Sequence, residues 1–379
     1  MSRVLHILPW LLMLLCTPLH ASSYPRTLTD LAGRQVVLHQ APQRILLQDS
    51  NDLLTLALLE REDPLRRVVA WGSGLAGSDP ALWRVVSEHW PQARQVRQVE
   101  FVQSGQIDIE GLLRTHPDLV VARLQAKAAI ENTVLYSVLE RLGIPLLYVD
   151  NEQDPLRNVP RSVALLGQAL ARENEAQAYL DAYQQRLQAL LNATRGLPSP
   201  RVFVEARAGQ AGSGGCCHTQ GNAGWGLLVQ RVGGINLGSQ YQRSGSSDVA
   251  LESLILAKPD LYLMTGTQRV RNGVSAIPFG YGTDAAQIHA AMARLMQRPG
   301  FAAVASAANA CTQGLNHQFY NSVFNIVGAQ WLAKLFWPQQ FAALDPDAEY
   351  RRLLREFTTL PDRPFVFHGQ VCFDQLDAS

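Results

Sequence analysis

The sequence predicts an α/β protein of two lobes, each built on a mainly parallel sheet flanked by helices, with one long helix joining them. Three observations predict it. Short apolar runs alternate with helical stretches in two separate series, the pattern of parallel sheets covered on both faces. Between the series, Ala176, Tyr179, Leu180, Tyr183, Leu187, Leu190 and Leu191 recur at helical spacing over residues 174–194. A segment also repeats. Glu110-Gly111-Leu112-Leu113 runs to Pro117-Asp118-Leu119, and Glu252-Ser253-Leu254-Ile255 runs to Pro259-Asp260-Leu261. Both fit E-x-L-[LI]-x-x-x-P-D-L, a helix, a Pro-Asp turn and a strand. A chain of 379 residues, 47% hydrophobic, also exceeds one ordinary core.

The elements follow in order. Thr27 to Thr29, the turn Asp30 to Gly33 and Arg34 to Leu38 read as a hairpin. Arg44 to Leu47, Arg67 to Trp71, Leu119 to Ala122 and Pro145 to Val149 read as strands. Between them Leu53 to Leu59, Ala81 to Ser87, Ile109 to Thr115 and Thr133 to Leu142 read as helices. Asn174 caps the long helix, and Gly196 with Pro198 ends it. The second series takes in Arg201 to Glu205, Gly226 to Val232, Leu251 to Leu256 and Leu261 to Met264.

Ahead of this lies an export signal over residues 1–21. Arg3 is its positive end, Ile7 to Cys16 its apolar stretch, and Leu19-His20-Ala21 its cleavage site. The apolar stretch falls short of the roughly 18 residues of a membrane span. Leu15 is bulky where a lipid-modified Cys16 would need a small neighbour. The expected divisions are therefore a signal over 1–21, a first lobe over 22–152, a helical segment over 153–197 and a second lobe over 198–379. Without Arg3, 32 basic residues balance 32 acidic ones, so no field attracts nucleic acid or anionic lipid. Export leaves Cys216, Cys217, Cys311 and Cys372 in an oxidising compartment, which suggests disulfides. Pairing the adjacent Cys216 and Cys217 is disfavoured. The expectation is that at least one of them bridges to Cys311 or Cys372. A thiolate metal site with His218 is the alternative, although the spacing matches no zinc pattern.

Gly72-Ser73-Gly74-Leu75-Ala76-Gly77 has the glycine spacing of a dinucleotide loop. Ser78-Asp79-Pro80 intervenes before the expected helix, so the segment reads as a turn at a cleft rim. Residues 206–224 carry six glycines with Cys216, Cys217 and His218, and read as a ligand-contacting loop. His317-Gln318-Phe319-Tyr320-Asn321-Ser322 precedes a helix expected over Val323 to Leu335. There is no P-loop, no HExxH and no G-x-S-x-G elbow. An exported α/β enzyme would need a nucleophile and a base in the cleft, and nothing in the sequence fixes such a pair.

Taken together, TLTDLAGRQVVL with APQRILL, IDIEGLLRTHPDLVVA, VALESLILAKPDLYLM, GWGLLVQRVGGINLG and NHQFYNS with WLAKLFWPQQF resemble the iron-complex branch of periplasmic substrate-binding proteins. That family serves ABC importers of ferric siderophores, haem and cobalamin. The resemblance implies two lobes on a rigid helix, a ligand held between them, and no catalysis. It also implies that Glu110 and Glu252 meet arginines of the membrane permease. The expected cargo is a ferric siderophore, the expected partner an inner-membrane permease, and the expected state a monomer without resident cofactor or directly bound metal. Haem or a corrinoid, with His218, His317 or Tyr320 as axial ligand, is the alternative.

Ligands of parallel sheets collect outside the carboxyl ends of the strands. That rule selects Gln48, Asp49, Trp71, Arg123 and Gln125 in the first lobe. In the second it selects Arg207, His218 and Trp225, joined by Tyr241, His317 and Tyr320. Arginine suits the carboxylates, catecholates or hydroxamates of a chelate, because it stays charged and donates two parallel bonds.

Overall fold

The computed structural model describes residues 24–100, 108–210, 216–243, 245–271, 273–307 and 311–375. The expected export signal, with Cys16, lies outside them. The chain opens on the expected hairpin, β1 (Arg26–Thr29) antiparallel to β2 (Gln35–Leu38). The Asp30 carboxylate shapes its turn by accepting from the backbone N–H of Ala32 and Arg34 at 3.0 and 2.9 Å. The first lobe continues through β3 (Ile45–Leu47), α1 (Leu53–Leu59), β4 (Val68–Trp71), α2 (Gly74–Ser78), α3 (Pro80–His89) and β5 (Arg97–Gln98). It is completed by α4 (Ile109–Leu113), β6 (Leu119–Arg123), α5 (Lys127–Glu131), α6 (Val134–Arg141) and β7 (Leu146–Val149).

Its sheet runs β5-β4-β3-β6-β7 and is parallel throughout. The chain goes out from β3 through β4 and β5, then crosses to β6 and β7 on the other side. That reversal opens a crevice at the carboxyl ends. The apolar runs are continuous because both faces are covered. In β6, Leu119 and Val121 enter one core while Val120 and Ala122 enter another, at the strand period of two.

The helix expected over 174–194 is α8 (Glu173–Thr194), and α7 (Pro155–Leu170) precedes it. The two form a hairpin: the Tyr183 hydroxyl comes to 3.5 Å from the carbonyl of Leu156, at the far end of α7. Gly167 lets them close, since a Cβ there would lie 2.6 Å from that of Ala176. The tyrosines of the apolar stripe reach the second lobe. Tyr179 donates to the Val323 carbonyl at 2.5 Å and Tyr183 to Asn325 Oδ1 at 2.9 Å. One apolar core runs unbroken from Leu47 and Trp71 through Val163 and Tyr183 to Val229 and Phe336. The lobes therefore sit on a shared helical spine.

The second lobe contains β8 (Arg201–Glu205), β9 (His218–Gln220), α9 (Gly224–Val232), β10 (Ile235–Asn236), β11 (Ser246–Asp248), α10 (Leu251–Ala257) and β12 (Leu261–Gly266). After these come the short strands β13 (Val270–Arg271), β14 (Val274–Ser275) and β15 (Gly280–Tyr281), then α11 (Ala285–Met296), α12 (Phe301–Ala307) and β16 (Cys311–Asn316). It ends with α13 (Asn325–Phe336), α14 (Pro346–Phe357), β17 (Phe365–Val366) and β18 (His368–Cys372). Its main sheet runs β10-β8-β12-β16-β18, parallel except for β18, which pairs antiparallel with β16.

The sequence repeat is a structural repeat. Asp118 accepts from the backbone N–H of Arg44 at 2.8 Å, at the start of β3. Asp260 accepts from that of Arg201 at 2.7 Å, at the start of β8. Two residues earlier, His116 and Lys258 both take φ of 46°, a left-handed conformation uncommon outside glycine. Each copy thus has the same turn and the same carboxylate clamp on the neighbouring strand.

The cysteines correct the expectation. Cys311 pairs with Cys372, and Cys216 with its neighbour Cys217. The reason is register: Cys311 and Cys372 are direct partners across β16 and β18, with Cα atoms 4.0 Å apart. That leaves Cys216 and Cys217 to each other. The Cys311–Cys372 bridge ties the last strand across 61 residues. Replacing both of its cysteines with serine should cost about 2–4 kcal/mol. Guanidinium unfolding of the two proteins is the check, and equal midpoints would rule the bridge out.

The glycine-rich segment after β4 is the other correction. The helix begins at once, as α2 at Gly74. Gly74 permits this because Asp49 lies against it, and a Cβ would be 1.9 Å from Asp49 Oδ1. The loop 206–224 is also less bare than expected. It contains β9, which pairs with β11, while residues 211–215 lie outside the described ones.

Candidate functional site

The carboxyl ends of the two sheets face each other across a cleft. On the first-lobe wall, Arg123 ends β6 and is 5% exposed. Its guanidinium lies 2.6 Å from Glu152, 3.3 Å from Asp49 and 3.6 Å from Asp52. Gln48, just past β3, accepts from the Arg123 backbone N–H at 3.1 Å. Burial pushes the Asp52 carboxyl up to about 7, against the pull of Arg123. Burial also works against the charge of Arg123, and the surrounding carboxylates outweigh it, so its pKa rises. Gln125 is exposed, with its amide 3.2 Å from Asp150.

On the second-lobe wall, Arg207 follows β8 with a left-handed φ of 51°. Its backbone N–H donates to Thr265 Oγ1 at 3.1 Å, and that hydroxyl contacts His317 Nδ1 at 2.8 Å. His317 Nε2 is buried without a hydrogen-bond partner. Burial first, then Arg207, Arg269 and His218, hold His317 well below its usual pKa, so it is neutral. Past β12 the hairpin β13–β14 carries Arg269 and Arg271. Gln210 fastens it by donating to the carbonyls of Arg269 and Val274 at 3.0 and 3.1 Å. Burial, followed by Arg207 and Arg271, lowers the pKa of Arg269. Among the described residues, no carboxylate lies within 4.0 Å of the Arg207, Arg269 or Arg271 guanidinium.

The walls meet at several points. Thr267 donates to the Ser78 carbonyl at 2.7 Å and Gln318 to the Ser78 hydroxyl at 3.0 Å. Glu152 accepts from Gly224 through its carbonyl at 2.8 Å and from Asn321 through Oε1 at 3.3 Å. Tyr320 sits between the walls, with Glu152 and Arg123 on one side and Arg207 on the other. Burial, then Glu152, keeps its phenol protonated. Between the lobes a hollow of about 410 Å³ is lined by Gln125, Glu152, Gln153, Gln220, Asn222 and Ser246 together with Ala223 and Gly245.

Of the residues selected from sequence, Gln48, Asp49, Arg123, Gln125 and Arg207 stand at the sheet ends as expected. Trp71, Trp225, His317 and Tyr320 are buried, so they belong to the floor and core beneath the cleft. Trp225 Nε1 donates to the His317 carbonyl at 3.0 Å. Tyr241 turns to the Ser253 carbonyl at 3.1 Å, and among the described residues no hydrogen bond brings it to the others. His218 is partly exposed, and Asp248 accepts from its Nδ1 at 2.7 Å. Sequence reasoning missed Glu152, Ser78, Thr267, Arg269 and Arg271. The Asn-Gly pair at 272–273 between apolar residues was a legible hairpin signal for the last two.

Glu205 with Cys216 and Cys217 is the one close His/Cys/Asp/Glu group among the described residues. Its chemistry does not fit a metal. The sulfurs are in a disulfide, and Glu205 is held by both Arg298 nitrogens at 2.8 Å and by the Tyr262 hydroxyl at 2.8 Å. Among the described residues no helix is long and apolar enough to cross a membrane.

Comparison with known proteins adds three findings. The family described as periplasmic binding protein matches residues 79–310, more than half of the chain. None of the curated proteins matches the sequence. Among solved structures, the chain is similar to the TroA-like periplasmic binding protein FepB from Veillonella parvula. Identity is 20%, coverage is 91% of this chain and 99% of that one, and the TM-score is 0.81. It is also similar to the molybdate periplasmic binding protein MolA from Haemophilus influenzae, at 16% identity, 89% and 100% coverage and a TM-score of 0.65. A periplasmic heme binding protein from Pseudomonas aeruginosa follows at 18%, 79% and 94%, with a TM-score of 0.52.

Proposed function

Since this chain belongs to the periplasmic binding protein family, we propose that it captures an anionic ferric chelate, a siderophore complex, between its lobes and hands it to an ABC permease. Members of this family bind solutes for ABC importers. The observation that carries the finer reading is the group of Arg207, Arg269 and Arg271, three cations at one wall with no carboxylate beside them among the described residues. Like charges gathered without a counter-ion are unfavourable unless a ligand supplies it, and guanidinium donates in a fork that fits paired oxygens. The likeness to FepB and to a protein of an Fe3+-hydroxamate transport system from Saccharomonospora viridis is in keeping with such a cargo.

A second reading, haem or a corrinoid, is favoured by one observation. His218 has its Nδ1 fixed by Asp248, which leaves Nε2 free to hold a metal. His317 and Tyr320, both buried, are poorer candidates for that part. Native mass spectrometry of the protein after incubation with ferric siderophores, haem and cobalamin separates the readings. A ferric siderophore adduct is the expected result, and adducts of haem or cobalamin alone would overturn it.

Arg207→Ala should lower affinity for an anionic ferric chelate at least tenfold, about 1.4 kcal/mol. Arg351→Ala is the control. That arginine is on α14, 3.8 Å from Asp362, and its loss should leave affinity unchanged. Equal affinities of the two variants in fluorescence titration would move the anion contact elsewhere.

A further inference from the structure

The two walls of the cleft carry opposite charge. The second-lobe wall gathers three arginines, whereas on the first-lobe wall Asp49, Asp52 and Glu152 share the single guanidinium of Arg123. The hollow of about 410 Å³ continues this acidic side. Its lining is one carboxylate among amides and a hydroxyl, and none of the lining residues is basic. Lys127, which lines the adjoining hollow with Gln125 and Gln153, is tied to Glu131.

Within the hollow, the two oxygens of Glu152 are used differently. Oε1 takes Arg123 at 2.6 Å and Asn321 at 3.3 Å. Among the described residues Oε2 has only the Gln125 amide at 3.5 Å, the outer limit of a hydrogen bond. The Glu152 side chain is 31% exposed, so this oxygen is open to a donor entering the hollow. Gln125 and Glu152 come from the first lobe, and Gln220, Asn222 and Ser246 from the second. A group bound there contacts both lobes.

We propose that this hollow is a subsite for a protonated amine, with Glu152 Oε2 as its counter-ion and the surrounding side-chain oxygens as further acceptors. An ammonium group has three donors and no acceptor, which matches a lining that offers a charge and amide oxygens. The cargo is then a dipolar chelate, with its acidic donors toward Arg207, Arg269 and Arg271 and an amine-bearing arm toward Glu152. This rests on the chelate-receptor reading for the source of the amine, but the amine site itself does not need it. A free polyamine carries the same group.

The test uses the full exported chain and three probes: ferrioxamine B, which has a free terminal ammonium, its N-acetyl derivative, and free 1,5-diaminopentane. Affinities are measured by calorimetry for the wild type, Glu152→Gln and Gln125→Lys. The lysine variant puts a cation in the hollow at an exposed position and spares the buried Arg123 pair. Ferrioxamine B should bind at least tenfold more tightly than its acetylated form, and both variants should erase the difference. If neither iron complex binds but diaminopentane does, and both variants abolish that binding, the amine site stands and a hydroxamate chelate is ruled out as the source of the amine. Equal binding of the two iron complexes to the wild type, or a preference that survives in both variants, would overturn the amine site. So would the absence of binding by all three probes.

Discussion

Arg123→Ala should destabilise the protein by about 3–5 kcal/mol, because it leaves buried carboxylates without their counter-charge. Arg123 is the shared cation of Asp49, Asp52 and Glu152, and Asp52 is only 1% exposed. Removing a partner from a buried pair costs more than the pair itself contributes, since the remaining charge keeps its desolvation penalty. The loss should also depend on pH, with a sign that the site fixes. Asp52 titrates at about 7 in the folded protein against an ordinary 3.8. A carboxyl raised in this way contributes stability below its unfolded pKa and loses it as pH rises through the folded one. Without Arg123 the influence that lowers Asp52 is gone, so its folded pKa climbs further. At pH 8 the folded variant must either hold an unpaired charge or take up a proton that the unfolded chain does not bind, while at pH 5 protonation costs less and the penalty shrinks. Guanidinium unfolding followed by tryptophan fluorescence should show the larger deficit at pH 8. A deficit that is the same at both values would mean that the cluster is wet enough to dispense with Arg123.

Much of the fold was legible because its signals are local. Leu53 to Leu59 is α1 and Arg201 to Glu205 is β8 at the residues expected, since each is a short apolar run between clear breakers. The hairpin at Asp30 and the helix over 174–194 were legible for the same reason. What escaped depends on contacts far apart in sequence. The pairing of Cys311 with Cys372 follows from β18 returning antiparallel beside β16, and nothing near either cysteine encodes that. The strand-end rule found Gln48, Asp49, Arg123 and Arg207 because sheet topology places them. It also selected Trp71, Trp225, His317 and Tyr320, whose type suits a ligand but whose side chains turn inward and pack. Glu152 was missed for the opposite reason. It sits in a plain polar turn after β7, and its role comes from Arg123, Asn321 and Gly224, up to 169 residues away.

Reversing charge at both repeat glutamates, Glu110→Lys with Glu252→Lys, should abolish uptake while chelate affinity in solution stays within about twofold. Each glutamate is in the first turn of a short helix that leads into a strand, α4 into β6 and α10 into β12. A helix leading back into a parallel strand runs against it, so its first turn lies at the carboxyl edge of the sheet. Both glutamates are therefore on the cleft side of their lobes, and both are exposed. Glu110 has 79% of its side chain in solvent and, among the described residues, Arg114 as its one ion-pair partner, at 2.5 Å. Such a surface pair contributes about 0–1 kcal/mol, so stability does not explain two acids kept at one matched position. Two carboxylates on two lobes, placed by the same turn and the same aspartate clamp, present a partner with paired charges of one sign. A permease with basic groups at the matching spacing would read both lobes at once, and lysines there would repel it from both. Transport of a bound ferric chelate into permease-containing vesicles is the measurement, with calorimetry of the free protein beside it. If affinity fell in step with uptake, the two glutamates would belong to the ligand site. If uptake persisted, the permease would have to recognise another surface. Loss of uptake alone separates delivery from capture, because neither carboxylate lies among Arg207, Glu152 and the other residues that line the cleft.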